Sequence, residues 1–344
     1  MGVFVFLPLI LPLTAVPIAR LTEQHLHPRG ASRLLTVISA VMALCSAVCL
    51  GLTGVVGTAQ IPGNPLPDSW SDPEVRAALP YHETVGTAAI CVLTVVAGAC
   101  LRTVVRHLRI RARARRALGR DLGGTTGYGL GGTTGYGLAG TAGYGLGGTP
   151  GGLPDDLAVL PDDRPYAYAL PGSPGRVVVS TGMLAGLAAD EREALLAHER
   201  AHLEHRHHRY LLITQLAGCV NPFLRPLQQA VAYSAERWAD EESAQAVGDR
   251  RITARAVARA ALVSHRAPAP GFAAFAAPGA VPGPVPRRVA ALLGPVPSSR
   301  NWPPAHTRAG LAAMVAAIGT AASALCAVNA AVALLLVLKA VTPL

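Results

Sequence analysis

The sequence has 344 residues, 51% of them hydrophobic and 15% charged, with a mean hydropathy of +0.37 and a formal net charge of +10. Soluble domains carry about 25% charged residues, so this balance excludes an ordinary soluble enzyme and assigns much of the chain to lipid. The basic excess is almost all arginine. A nucleic-acid binder would share it, but would lack the long uncharged stretches beside it, so no direct nucleic-acid partner is expected.

Four segments contain no Asp, Glu, Lys or Arg: Val3–Ile18, Leu34–Ala59, Thr84–Leu101 and Leu311–Leu338. About 20 apolar residues cross a bilayer core as a helix, and these segments reach or approach that length. The first is short and holds Pro8, Pro12 and Pro17. Its start has no basic residue and Arg20 follows it, the reverse of a secretory signal, so it reads as an uncleaved span. After the third segment comes a run from Arg102 to Arg120 holding eight arginines. Basic flanks stay on the cytoplasmic side and meet lipid headgroups. Residues 102–308 are therefore expected in the cytoplasm of a multi-pass plasma-membrane protein, with both termini and the loop at 60–83 outside.

Five of the six cysteines lie in apolar stretches and none forms a CxxC pair, which argues against a disulfide framework or a structural zinc site. From Asp121 to Gly152 an eight-residue unit repeats, as in Gly129–Tyr136. It is too glycine-rich to bury a core and reads as a flexible tether. A second stretch, Ala267–Pro286, is rich in Pro and Ala. The expected organisation is three spans with a basic flank over 1–120, the tether over 121–152, a folded domain over 153–265, the Pro/Ala-rich segment over 266–308 and a last span over 309–344. The fold class is mainly α: membrane helices plus a cytoplasmic domain with a small β element.

That domain opens with strand-like runs at Tyr166–Leu170 and Val177–Ser180 around a Pro-Gly turn. Asp190 and Glu193 have capping spacing, predicting a helix from there to about Arg209. This helix carries His198-Glu199-Arg200-Ala201-His202. Histidines four apart share a helix face and can reach one metal ion, while Glu199 can hold the water that zinc activates. One Zn2+ is expected. Zinc needs a third protein ligand, and Glu236, in Glu236-Arg237-Trp238-Ala239-Asp240, follows His202 by 34 residues. Asp240, one turn on, is placed to orient a metal-bound histidine. Leu211–Tyr233 is apolar, but a full crossing would carry Glu236 away from His198, so a hairpin that re-enters or lies on the membrane is expected. His205, His207 and His208 read as a solvated basic helix end, since neighbours one and two apart do not share a face. His25, His27, His82, His107, His265 and His306 receive no role.

Ser180-Thr181-Gly182-Met183-Leu184, His198–His202, Asn221-Pro222-Phe223-Leu224 and Glu236–Asp240 follow the order found in the BlaR/MecR-type membrane peptidases, which this chain resembles from about Tyr166 to Gly248. The same zinc-helix and ExxxD logic is similar to the HtpX heat-shock and CAAX prenyl proteases. The resemblance implies a gluzincin domain, zinc on His198, His202 and Glu236, Glu199 as general base, and a protein or peptide substrate. It also implies a transcriptional repressor as that substrate, or a quality-control or processing role in the HtpX/CAAX alternative. From family geometry, the backbone at Val177–Ser180 is expected to hold an extended substrate by strand addition. The sensor-transducers carry an extracellular penicillin-binding domain, whereas six residues follow Leu338 here, so direct beta-lactam sensing is not expected. Two other classes stay open: a non-catalytic membrane scaffold, which would not need Glu199, and a DNA-associated regulator resting on the arginine run alone.

Overall fold

The computed structural model describes residues 6–59, 82–123, 156–265, 285–297 and 307–341. The octad repeats, the loop at 60–81 and the Pro/Ala-rich stretch 266–284 lie outside the described residues. In chain order come α1 (Leu7–Ile10), a 3-10 turn (Leu11–Thr14), α2 (Ala15–His25), α3 (Pro28–Thr58) and α4 (His82–Gly123). Three strands follow, β1 (Leu157–Leu160), β2 (Ala167–Leu170) and β3 (Arg176–Ser180). Then come α5 (Thr181–Ala185), α6 (Ala189–Glu204), α7 (His207–Val220) and α8 (Arg225–Val247). The last helices are α9 (Arg250–His265), α10 (Val285–Leu293) and α11 (Arg308–Val341). Among the described residues the protein is mostly helical with one small sheet, and it divides into two compact units.

The first unit comprises residues 1–104, 212–231 and 299–344. Among the described residues three helical stretches are long and apolar enough to cross a membrane: Pro28–Thr58, Thr84–Arg116 and Ala313–Ala340. The N-terminal segment expected as a fourth span is not one helix but α1, a 3-10 turn and α2. Proline explains the break. Pro12 has no N–H for the carbonyl of Pro8 four residues back, and Ser46 Oγ donates to that carbonyl instead at 2.8 Å. Asn221 Nδ2, at the turn between α7 and α8, donates to Leu9 O at 3.2 Å and to Ser46 Oγ at 3.1 Å. In apolar surroundings such freed carbonyls must find donors within the protein.

α3 packs on α11 through Cys45, Cys49 and Val56 against Ala327, Ala330 and Leu334. The outward side chains of α11, among them Ile318, Leu325 and Leu336, are exposed and apolar, as lipid contact requires. α3 and α4 touch at Gly57 and Gly86, where a Cβ on Gly57 would sit 2.5 Å from the Gly86 Cα. Small residues let membrane helices approach this closely.

The second unit comprises residues 105–211 and 232–298. Its sheet has the order β1-β3-β2, with β3 parallel to β1 and antiparallel to β2. β1 was not anticipated. Because β3 is paired on both sides, it has no free edge to receive a substrate. The expectation at Val177–Ser180 is thereby corrected, and the edge without a strand partner next to α6 belongs to β2. Period-2 alternation splits the sheet's faces. Val177 and Val179 pack with Met183, Leu184, Leu187 and Leu196, whereas Val178 packs with Tyr166, Tyr168 and the α4 residues Ala114 and Leu118. Ser180 Oγ caps α5 by accepting Met183 N–H at 3.1 Å.

α6 begins one residue before Asp190, and its cap is Glu191, not Glu193: Glu191 Oε2 accepts the Ala188 N–H at 2.9 Å. It ends at Glu204 instead of near Arg209, because Arg206 takes a positive φ of 54° and turns the chain into α7. α10 falls inside the segment set apart on composition, yet it packs on α9 and belongs to this unit. Arg250 fastens its C-terminus, donating to Leu292 O at 2.9 Å and to Ala291 O at 2.8 Å.

Gly57→Val should lower the thermal midpoint of the full-length protein in detergent, corresponding to about 1–3 kcal/mol of overpacking. Gly51→Ala, where an added Cβ meets nothing within 4 Å, should leave the midpoint nearly unchanged.

Candidate metal centre

Helical spacing brings His198 and His202 to one face of α6, and their Nε2 atoms lie 3.1 Å apart. The chain turns at Asn221–Leu224 and returns along α8, so Glu236 faces both rings. Its Oε2 is 3.6 Å from His198 Nε2 and its Oε1 is 3.6 Å from His202 Nε2. One ligand atom from each of the three residues falls within 4.8 Å of the others. Two atoms bound to one tetrahedral zinc at about 2 Å sit a little over 3 Å apart, so the donor set and its spacing fit that ion.

The other ring nitrogens point outward to partners. His198 Nδ1 faces Asp240 Oδ1 at 3.1 Å, with Asp240 fully buried. His202 Nδ1 lies 2.9 Å from His207 Nδ1. The rings can therefore keep Nε2 free for a metal while the Nδ1 side is tied down. His207 is fully buried against Trp238, at 4.7 Å between ring centroids, and His205 stacks on the same indole at 4.4 Å. The reading of these histidines as a solvated helix end is thus corrected for His205 and His207. Face rules hold within one continuous helix, and the turn at Arg206 ends α6 and starts another.

Arg288, from α10, was missed. It is buried and grips Asp240 with Nε at 2.8 Å and Nη2 at 2.6 Å, while Nη1 reaches Glu236 Oε2 at 2.8 Å. A trace existed in the sequence: Arg287 and Arg288 are the only charges from Ala267 to Ser299, and Pro286 before them marks a helix start.

Burial and neighbouring charge set the protonation states. Burial pushes the Glu199 carboxyl up to about 7, against the pull of His198, Arg288 and a backbone hydrogen bond from Ala169. Burial drives His202 down to about 4. His198 resists its own burial and rises to about 10, because Asp240 and Glu236 face it. Glu236 and Asp240 stay ionised despite burial, chiefly through Arg288. Zinc needs neutral imidazoles, so loading displaces the proton from His198. Glu199 Oε2 is buried with no hydrogen-bond partner, leaving one carboxylate oxygen to receive a proton.

Residues 149–217 match Peptidase family M48. The matched stretch contains His198, Glu199, His202 and His207 and stops before Glu236, which the tertiary structure alone brings to the group. The "Protease HtpX homolog" of Prosthecochloris aestuarii (strain DSM 271 / SK 413) is 34% identical over 101 residues, which is 28% of this chain. The similarity spans about a third of that relative, 34% of its length. No solved structure matches significantly. Both matches support a membrane metallopeptidase related to this family.

Arg288→Ala should lower zinc affinity of the purified chain about 10–100-fold, as loss of a group that orients a ligand does, with Arg288→Lys losing less. Zinc titration by competition with a chromogenic chelator checks both. Unchanged affinity in Arg288→Ala would remove the residue from the centre.

Proposed function

We propose that this protein is a membrane-anchored zinc endopeptidase that cuts peptide bonds of cytoplasmic or membrane-associated proteins. The observation that carries the proposal is the convergence of His198, His202 and Glu236 beside a buried, half-unpaired Glu199 carboxylate. A metal site with only a structural role has no use for that fourth group.

His198, His202 and Glu236 would hold the zinc, which when bound would supply Lewis acidity to a peptide carbonyl and to water. Glu199, through its unpartnered Oε2, would take a proton from the attacking water and pass it to the leaving amine. A carboxyl poised near neutrality suits both halves of this transfer. Asp240 and His207 keep the two imidazoles in register, and Arg288 holds Glu236 through Oε2. The β2 edge is the natural place for the substrate, since its Ala169 backbone hydrogen-bonds Glu199. A peptide paired along that edge has its scissile carbonyl carried to the metal group by main-chain hydrogen bonds.

The arginine excess following the third apolar segment favours a cytoplasmic catalytic unit. Two roles compete for the biological setting, cleavage of a transcriptional repressor and HtpX-type processing of membrane proteins. The similarity to the Prosthecochloris protein supports the second about as well as the motif order supports the first.

Glu199→Gln should keep zinc and lose hydrolysis by about 10²–10⁴-fold, because it removes the base and no ligand. His198→Ala and His202→Ala should lose the metal as well. Zinc analysis and turnover of a quenched casein substrate separate the two effects, and full turnover in Glu199→Gln would sink the mechanism. A reporter fused after Gly151 should be cytoplasmic and one fused after Leu344 should be outside. Reporter activity outside at Gly151 would invert the topology.

A further inference from the structure

Within the second unit, the loop after β2 opens into a cavity of about 720 Å³. Arg111 and Arg115 from α4, Arg200 from α6, Arg206 and Arg209 line it, against two carboxylates, Asp156 and Glu204. Asp156 is already engaged by Arg200 at 2.7 Å. Arg111 and Arg115 both donate to one neutral acceptor, the Pro171 carbonyl, at 3.5 and 3.1 Å. Arg206 and Arg209 have no carboxylate partner among the described residues. So many guanidinium groups in one concavity set up a positive field that low-dielectric walls focus. Two buried nitrogens there, Arg111 Nε and His208 Nδ1, lack any hydrogen-bond partner. Buried polar atoms are seldom left so, and an acceptor entering the cavity would satisfy Arg111 Nε.

The cavity adjoins the metal group through shared walls. A smaller cavity of about 30 Å³ shares Arg111, Pro171 and His208 with it and extends past Ala169 and Leu170 to His202. From Ala169, whose backbone hydrogen-bonds Glu199, to Gly172 in the loop after β2, at the cavity wall, the chain reaches at most about 10 Å at roughly 3.3 Å per residue. A peptide laid on the β2 edge with its scissile bond at Glu199 carries a side chain two to four residues away into the arginines. We infer that this cavity binds acidic side chains of the polypeptide held on β2, making the protein selective for Asp or Glu at that distance from the cut. The inference rests on the peptidase reading for what lies in the groove. An anionic lipid headgroup would also suit guanidinium groups, but the walls shared with the small cavity beside Ala169, Leu170 and His202 favour a peptide.

The test uses full-length Glu199→Gln protein in detergent, so that peptides bind without being cut. Two fluorescent peptides of equal length differ only in carrying Glu or Gln at positions two to four on either side of the central bond. A charge-assisted contact should make the Glu peptide bind about tenfold tighter at low salt. This preference should fall below about twofold in Arg209→Glu and in Arg206→Gln, and largely survive in Arg209→Lys. Zinc content of each variant, read in parallel, shows that its fold is intact. Equal binding of the two peptides by the parent overturns the inference. So does Arg209-dependent competition by short-chain phosphatidylglycerol without a Glu preference, which gives the cavity to lipid. Separately, failure of the zinc-loaded chain with native Glu199 to cut any peptide defeats the peptidase reading, while a Glu preference would still establish the cavity as an acid-binding site.

Discussion

Three carboxylates, Glu199, Glu236 and Asp240, lie buried around two imidazoles, and the charge they create must be answered within the protein. Arg288 answers one negative charge, leaving two for a divalent cation. Without the cation, a proton on His198 meets one of the two and burial favours a second on Glu199, whose carboxyl is pushed up to about 7; His198 thus rises above its ordinary range while burial makes His202 fall. Isolated buried charge is too expensive to persist, so neutrality governs how the surrounding helices must dock. α8 brings two of the carboxylates, α6 brings the rings and the third, and α10 brings the guanidinium.

This requirement explains why α10 belongs to the catalytic unit although residues 266–284 separate it from α9 in sequence. Arg250 bonds the carbonyls at the end of α10 and also reaches Glu241 on α8, so one side chain fixes α10 near the helix whose carboxylates it serves. Ser243 Oγ donates to Ala194 O at 2.7 Å, tying α8 to the metal helix itself. The centre is held by hydrogen bonds between helices as well as by apolar packing.

The two imidazoles are oriented differently. His198 has a carboxylate behind it and His202 has a second imidazole, His207. Burial drives His207 down to about 2, so it is neutral and can accept from His202 Nδ1. A carboxylate makes its histidine more basic and a better donor to a metal, whereas a neutral ring fixes the orientation without adding charge. A second carboxylate at His207 would raise the negative charge beyond what Arg288 and one divalent ion offset.

Much of this was legible from local order. His198, Glu199 and His202 needed only the 3.6-residue helix period, and the apolar helices at Pro28–Thr58, Thr84–Arg116 and Ala313–Ala340 needed only length and the absence of charge. The β2–β3 hairpin was marked by its Pro-Gly turn. Glu236 and Asp240 could be named because helical spacing relates them to each other, though nothing local places them beside His198. The tertiary structure decided the rest. β1 joins the sheet through a parallel pairing of residues 20 apart, Leu157 with Val177, which no alternation within one segment encodes. His207 turned inward because Arg206 adopts a backbone angle usually left to glycine, and no glycine or proline marked the break. Arg288 sits 48 residues beyond the aspartate it holds, in a stretch whose composition reads as linker. Sequence by itself determined which groups could do chemistry, because helix periodicity is a short-range property. Which groups balance their charge is settled only when distant helices dock, because burial makes Coulomb interactions strong regardless of separation along the chain.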